Sequence, residues 1–184
     1  NFCNDVIYRD SAQGNDEPHY DQAYMLQKYT PDKLVASNWM GRADEKGSFR
    51  PPIEEDETAL IPYAIWQHYL KYRDFEVLSL WFQPLLIQAA NFMVEFRESH
   101  TKLPAPSYDL WEERVGIYSY TVATVWAGLN ASANAAELFG ETAAAVRFRN
   151  AAEEIKGACE TYLYDDKLGR FLTQIGRASC RERV

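Results

Sequence analysis

Helical periodicity is the feature of this 184-residue sequence that most restricts its fold. Four long segments, residues 56–73, 74–98, 118–139 and 141–164, repeat apolar side chains at steps of three and four residues. This spacing places those side chains on one face of an α-helix. Asp74 is a suitable N-cap for the second segment, and Gly140 is a suitable C-cap for the third. The sequence therefore predicts an all-α fold built from helical hairpins.

One apolar face is expected on each predicted helix. Pro84 interrupts the second segment and predicts a kink or a restart, because proline removes a helical donor and clashes with the preceding turn. The predicted core positions are Leu60, Ile61, Ala64, Ile65 and Tyr69 in the first helix, Leu85, Ala89, Phe92 and Phe96 in the second, Val122, Val125, Trp126, Leu129 and Ala133 in the third, and Phe148, Ala152, Ile155, Cys159 and Tyr162 in the fourth.

The remaining segments are shorter or irregular. Residues 1–8 resemble the end of a helix, residues 9–19 a loop, and residues 20–29 a short helix, whereas residues 31–55 and 99–117 are expected to be irregular. "YLYDDKLGRFL" near the C-terminus predicts a small hairpin. Helical hairpins can form an open solenoid or a closed ring of helix pairs. The absence of a 34-residue repeat and the two long loops favour a ring whose loops form a site.

The net charge of −8 argues against nucleic acid as a partner and against docking on an anionic membrane surface. The sequence contains no run of about 18 apolar residues, so no membrane span is predicted. The three cysteines, Cys3, Cys159 and Cys180, lack metal-type or disulfide spacing, and the three histidines are scattered. We therefore expect no metal and no cofactor.

The last ten residues, "IGRASCRERV", resemble sequencing-adapter DNA translated in frame. We exclude this segment, residues 175–184, from the fold prediction as a non-native read-through tail. Residues 1–174 are then interpreted as one partial domain that is truncated at both ends.

The stretch "SYDLWEERVGIYSYT", residues 107–121, sets Asp109, Glu112 and Glu113 around Trp111. Glycoside hydrolysis requires a carboxylic acid that stays protonated near neutral pH. An apolar wall and neighbouring negative charge both favour the protonated form, and this stretch offers both beside Glu112. The alternative is that Glu112 and Glu113 are solvated charges at a helix N-terminus, where the helix dipole favours acids.

Three stretches carry a family resemblance. "YDLWEERVGIYSYTVATVWAGLNASANAAELFGE", "YMLQKYTPDKLVASNWM" and "PPIEEDETALIPYAIWQHYL" resemble the bacterial branch of the glucoamylase-type family, glycoside hydrolase family 15. The resemblance implies an (α/α)6 toroid with the active site at one end of the ring. It also implies inverting hydrolysis of α-linked glucosides at their non-reducing ends.

The resemblance also implies roles for individual residues. Glu112 occupies the position of the general acid. Asp109 and Glu113 are expected to hold sugar hydroxyls and the loop, and Trp111 is expected to line the substrate pocket. Trp39, in "SNWM", resembles a tryptophan that contacts substrate.

This chain departs from the family pattern in two ways. The second carboxylate, which activates water in an inverting enzyme, lies further downstream in the family than this chain extends. The upstream Arg-Asp that grips the terminal sugar is also missing, because "YRD" at residues 8–10 lies too close to Tyr24 for the family's spacing. We therefore expect the chain alone to be inactive. Asp56 and Glu57 match the family's acidic helix start, which a structural role explains equally well.

Two alternatives to an enzyme stay open. One is a non-catalytic (α/α)6 module that binds carbohydrate or regulates another protein, and the other is an α-helical interaction scaffold. The sequence leaves open whether a substrate is starch-like, isomaltose-like, dextran or trehalose. It leaves the oligomeric state open as well. It also leaves the localisation open, with the cytoplasm slightly favoured.

Overall fold

The computed structural model describes residues 8–9, 23–26, 28, 30–32, 42–43, 49–50 and 53–175, and this part of the chain is predominantly helical. The four predicted helical segments are confirmed, with ends within three residues of those expected. The helices are α1 (Glu55–Tyr72), α2 (Phe75–Trp81), α3 (Gln88–Glu95), α4 (Ser119–Leu138) and α5 (Thr142–Tyr162), with a π-helical turn (Phe82–Ile87) between α2 and α3.

Pro84 lies within the π-helical turn, so the predicted interruption is confirmed. Its ring and missing N–H are incompatible with a regular α-helical turn, and a wider turn accommodates both. At the start of α2, Oδ1 of Asp74 accepts a hydrogen bond of 3.0 Å from the backbone N–H of Val77, which confirms the predicted N-cap.

All strands in the described residues are short. They are β1 (Tyr8–Arg9), β2 (Ala23–Tyr24), β3 (Arg42–Ala43), β4 (Phe49–Arg50), β5 (Ser107–Tyr108), β6 (Val115–Tyr118), β7 (Tyr164–Asp165), β8 (Arg170–Phe171) and β9 (Gln174–Ile175). The pairs β1–β2, β3–β4 and β7–β8 are antiparallel, and β6 lies between β5 and β9 in a three-stranded sheet.

The prediction of a short helix over residues 20–29 is wrong where the structure describes this segment. Ala23–Tyr24 is a strand, and Tyr24 is the register partner of Tyr8, a residue that was expected to end a helix. A helix of ten residues is marginal on its own, so tertiary contacts decide its conformation. The Tyr24 ring stacks on Phe92 at 4.9 Å between centroids and fixes this segment against α3.

The core forms where α4 packs between α1 and α5. The predicted core residues of the second helical segment, Leu85, Ala89, Phe92 and Phe96, are all buried. The predicted faces of α4 and α5 are also confirmed, except that Trp126 is 40% exposed and that Cys159 and Tyr162 are half-buried.

The predicted apolar face of α1 is wrong in part, because Leu60 and Ala64 are exposed. The cause is the close approach of α4: a Cβ atom added to Gly128 would lie 2.6 Å from the backbone oxygen of Ala59. This contact turns the first two turns of α1 inward. The buried residues of α1 are Glu55, Asp56, Thr58, Ala59 and Pro62.

The C-terminal hairpin is confirmed by the pairing of β7 with β8. Oδ1 of Asp165 accepts hydrogen bonds from the N–H groups of Lys167 and Leu168 and shapes the turn. Ile175, the first residue of the predicted read-through tail, pairs with Ile117 and is buried. Residues 176–184 lie outside the described residues.

The stretch Phe75–Glu95 has the length and composition to cross a membrane, although the sequence analysis expects no membrane span. Half of its most apolar window is buried within the protein, and a buried core helix meets the same criteria. The absence of a membrane span therefore stays a prediction.

Candidate active site

The acidic motif lies in the loop of a β-hairpin. Tyr108 of β5 pairs with Val115 of β6, and residues 109–114 connect the two strands. The next helix, α4, begins only at Ser119. The alternative that Glu112 and Glu113 are charges at a helix N-terminus is therefore wrong, and their positions need another explanation.

Asp109 organises this loop through its own hydrogen bonds. Its Oδ1 atom accepts from the backbone N–H of Glu113 at 2.8 Å and from that of Arg114 at 3.3 Å. Its backbone N–H donates to the carbonyl oxygen of Arg114 at 3.0 Å. The Asp109 carboxylate therefore holds the loop, which is one of the two roles implied by the resemblance.

Glu112 has a left-handed backbone conformation, with a φ of 59°. Its N–H donates to the carbonyl oxygen of Asp109 at 2.8 Å and closes the turn. Glycine or asparagine adopts this conformation at lower cost, whereas glutamate does so rarely. Unfavourable backbone conformations of this kind cluster at functional sites, so the turn itself does not account for a glutamate here.

Lys28 forms an ion pair with Glu112. Its Nζ atom lies 2.8 Å from one carboxylate oxygen of Glu112 and 3.0 Å from the other. The Glu112 side chain is 20% exposed and that of Lys28 is 42% exposed. The ammonium group contacts both oxygens, so any other group that bonds to this carboxyl must displace it.

Two backbone hydrogen bonds bring three chain segments together at the ion pair. The N–H of Met25 donates to Oγ1 of Thr58 at 2.9 Å and ties the segment of Lys28 to α1. The N–H of Tyr108 donates to the carbonyl oxygen of Ile53 at 3.0 Å and ties the hairpin to the residue before Glu54. The acidic loop, Lys28 and the N-terminus of α1 therefore form one site.

The N-terminus of α1 contributes four consecutive acidic residues to this site. Glu54, Glu55 and Asp56 are buried, with exposures of 2%, 0% and 1%. Within the described part of the chain, Oε1 of Glu54, both carboxyl oxygens of Glu55 and Oδ1 of Asp56 have no hydrogen-bond partner. Burial of unpartnered carboxyl groups disfavours their charged form and favours the protonated form.

The pKa values of these carboxyls follow from their burial. Desolvation is the largest cause in each case, and it raises the pKa of Glu54 to about 8 and the pKa of Glu55 well above its ordinary value. Desolvation also raises the pKa values of Asp56 and Glu57. Neighbouring acids of α1 and the negative charge of Glu112 contribute to the raised pKa values of Glu54 and Glu57, and the charge of Lys28 lowers both.

Sequence reasoning missed both Lys28 and Glu54. The sequence analysis assigned neighbouring negative charge to Asp109 and Glu113, whereas the charges of Glu112 and Lys28 act on the carboxyls of α1. The only signal was the run "EEDE" itself, which is also the ordinary composition of an exposed helix start. The close packing of α4 on α1, where Gly128 meets the backbone of Ala59, is a contact between distant residues that no local pattern reveals.

The remaining predicted site residues are Trp111, Glu113 and Trp39. Trp111 is 78% exposed, so it supplies no apolar wall for Glu112 in this structure. Glu113 is also exposed. Trp39 lies outside the described residues. The described residues contain no group of three histidine, cysteine, aspartate or glutamate side chains that could hold a metal ion.

The family model described as glycosyl hydrolases family 15 matches residues 55–177, about two thirds of the chain. The match includes the acidic loop and most of the acidic run of α1, but not Lys28, Trp39 or Glu54. A comparison with curated proteins finds no match.

Proposed function

Because the chain belongs to glycosyl hydrolases family 15, we propose that it is part of an inverting, exo-acting hydrolase of α-glucosidic bonds. In this proposal Glu112 is the general acid, and hydrolysis releases glucose from non-reducing ends. The observation that carries the proposal is the left-handed Glu112, held by Asp109 in a loop within the matched region. A turn alone would favour glycine at this position.

The proposed chemistry follows from two carboxyl groups. Glu112 donates a proton to the glycosidic oxygen as the bond to the anomeric carbon breaks. A second carboxylate removes a proton from water, which attacks the opposite face of the sugar. Inverting enzymes separate the two carboxyls by roughly 6.5–9.5 Å. We propose that this partner comes from a further part of the complete enzyme, and that the family's (α/α)6 toroid places it opposite Glu112.

Substrate binding would use the groups around Glu112. The exposed indole of Trp111 offers a flat surface on which a sugar ring can stack. Glu113 is exposed and can accept hydrogen bonds from sugar hydroxyls, whereas Asp109 acts mainly through the loop that it holds. Trp39 is proposed as a second contact with the substrate.

The test replaces Glu112 with Gln in the intact enzyme, with Glu153→Gln on the exposed face of α5 as the control. Loss of a general acid lowers turnover typically by about 10²–10⁴-fold. We expect that loss on maltooligosaccharides, isomaltose, dextran or trehalose, whichever the wild-type enzyme cleaves. We expect a much smaller loss on α-glucosyl fluoride, whose leaving group needs little protonation. Equal turnover by Glu112→Gln and wild type on the natural linkage would refute the proposal.

The stereochemistry provides an independent readout. Inversion predicts that the glucose first released from an α-linkage is the β-anomer, which proton NMR detects before mutarotation. First-formed α-glucose would exclude the inverting mechanism while leaving hydrolysis intact.

Two observations favour the non-catalytic alternative. The Lys28–Glu112 ion pair and the exposed Trp111 would also suit a module that binds sugar without cleaving it. Calorimetry that detects sugar binding by an intact protein with no hydrolysis of any linkage would support that alternative.

A further inference from the structure

The Lys28 ammonium group acts on Glu112 of the loop and on two carboxyls at the start of α1, those of Glu54 and Glu57. It contacts both oxygens of Glu112 at 2.8 and 3.0 Å.

Glu54 lies between the two points at which the hairpin and the segment of Lys28 are tied to the start of α1: the carbonyl oxygen of Ile53 accepts from the N–H of Tyr108, and Oγ1 of Thr58 accepts from the N–H of Met25. The charge of Lys28 also lowers the pKa of Glu54. The hydrogen bond from Met25 to Thr58 fixes the segment of Lys28 against α1. The fold itself therefore holds Lys28 beside the acidic start of this helix.

Glu54 has the surroundings of an uncharged carboxylic acid. It is 2% exposed, and its Oε1 atom has no hydrogen-bond partner among the described residues. Burial is the main reason that its pKa rises to about 8. The charged groups that act on it are Glu57 and Asp56 of its own helix, Glu112 of the hairpin loop and Lys28 of the segment after β2.

We propose that Glu54 is a positioning residue for Glu112: while uncharged it leaves the Lys28 ammonium group to Glu112, and once ionised it competes with Glu112 for that group. This inference rests on the proposed role of Glu112 as the general acid. Glu54 is not a catalytic residue in this proposal, because its Oε1 atom is buried from solvent.

The proposal has a reciprocal consequence. If Glu54 and Glu112 compete for one ammonium group, removing either partner must change how tightly Glu54 holds its proton. Replacing Lys28 with Met removes a charge that lowers the pKa of Glu54, so that pKa rises above about 8. Replacing Glu112 with Gln removes a charge that raises it, so the pKa of Glu54 falls.

The experiment titrates Glu54 directly in the intact enzyme labelled with ¹³C-glutamate. The Glu54 carboxyl signal is the one that disappears in Glu54→Gln, a variant of nearly the same shape. We expect a midpoint near pH 8 in the wild type, a higher midpoint in Lys28→Met and a lower midpoint in Glu112→Gln. Lys28→Arg keeps the charge, and Glu113→Gln changes an exposed group of the same loop, so both should leave the midpoint near its wild-type value.

A second readout links the coupling to catalysis. The pH dependence of kcat/KM reports groups that titrate in the free enzyme. We expect an inflection near pH 8 in the wild type that is absent in Glu54→Gln. A purely structural role of Glu54 would change the height of the profile and not its inflections.

The outcomes separate this inference from the proposed function. The inference is overturned, whatever the activity, if the titration midpoint of Glu54 is the same in wild type, Lys28→Met and Glu112→Gln. A wild-type midpoint near the ordinary value for glutamate overturns it as well. Full activity in Glu112→Gln overturns the proposed general acid even if the Glu54 midpoint responds, since the titration requires no turnover.

Discussion

Two acidic runs of similar composition have opposite environments in this protein. In the hairpin loop, Asp109 accepts two backbone hydrogen bonds, Glu113 is exposed and Glu112 has an ammonium partner. At the start of α1, residues 54–56 are buried and have carboxyl oxygens without partners in the described chain. The carboxyl groups of Asp109 and Glu112 therefore have polar partners, whereas burial at the helix start favours the protonated form.

The difference shows that burial, and not composition, sets the charge state of an acidic run. Exposed acids at a helix N-terminus stabilise it through the helix dipole. Buried acids in the same position cost free energy and bind protons more tightly than the unfolded chain does. Because the buried run lies beside Glu112, its unfavourable environment is consistent with a functional role, where proteins tolerate such costs.

The largest expected effect is on the pH dependence of stability. The pKa of Glu54 is raised from 4.5 to about 8, so the folded protein holds a proton that the unfolded chain releases. Its contribution to stability is therefore full below about pH 4.5 and is lost as the pH rises toward 8. Thermal or urea unfolding of wild type and Glu54→Gln should show a difference that changes by at most roughly 3–5 kcal/mol over this range.

The matched control for that measurement is Glu113→Gln, which should follow the wild-type pH dependence because Glu113 is exposed. A constant difference between wild type and Glu54→Gln from pH 4.5 to 8 would mean that Glu54 titrates normally. The two acidic runs would then not differ at Glu54.

The next effect concerns Glu55, which is fully buried and has no partner for either carboxyl oxygen in the described chain. Glu55→Met removes the cost of burying an unsatisfied polar group, so the free energy of unfolding should rise by about 1–3 kcal/mol at neutral pH. Urea unfolding measures it. Glu153→Met on the exposed face of α5 controls for the added methionine. Destabilisation by Glu55→Met would show that this carboxyl has a favourable partner.

Much of the fold could be predicted because helix patterns are local. The apolar spacing of α4 and α5, the Asp74 cap and the break at Pro84 depend on neighbours within four residues. The face that α1 buries depends instead on a distant contact. Gly128 lies 69 positions beyond Ala59, and its lack of a side chain lets the backbone of Ala59 pack closely against it. The strand at Ala23–Tyr24 likewise requires a distant partner, Tyr8.

The site could be predicted only in part for the same reason. The acidic motif marked Glu112 from adjacent residues, but its cation comes from Lys28, 84 positions away. The sequence also made Trp111 the apolar wall of Glu112, and the structure leaves that indole exposed. Local patterns name the chemical groups of a site, whereas packing decides which of them are charged.

A smaller effect is expected at Asp109, whose carboxylate holds the loop. Asp109→Ala removes the acceptor for the N–H groups of Glu113 and Arg114, and should lower the free energy of unfolding by about 1 kcal/mol. Asp109→Asn keeps an acceptor oxygen and should recover most of that loss. Urea unfolding of the two variants tests this contrast. Equal losses in Asn and Ala variants would show that charge, and not the hydrogen bonds, matters at this position.

The smallest effect on stability is expected at Trp111. Its indole is 78% exposed and buries little apolar surface, so Trp111→Ala should change the free energy of unfolding by less than about 0.5 kcal/mol. The same variant should weaken sugar binding markedly if the indole stacks on a ring, which calorimetry measures. Trp126→Ala is the control, because that tryptophan is also part-exposed, at 40%, but lies on α4. Unchanged sugar affinity in Trp111→Ala would remove Trp111 from the proposed site and leave Glu112 and Glu113 as the side chains of the hairpin loop that are proposed to contact the substrate.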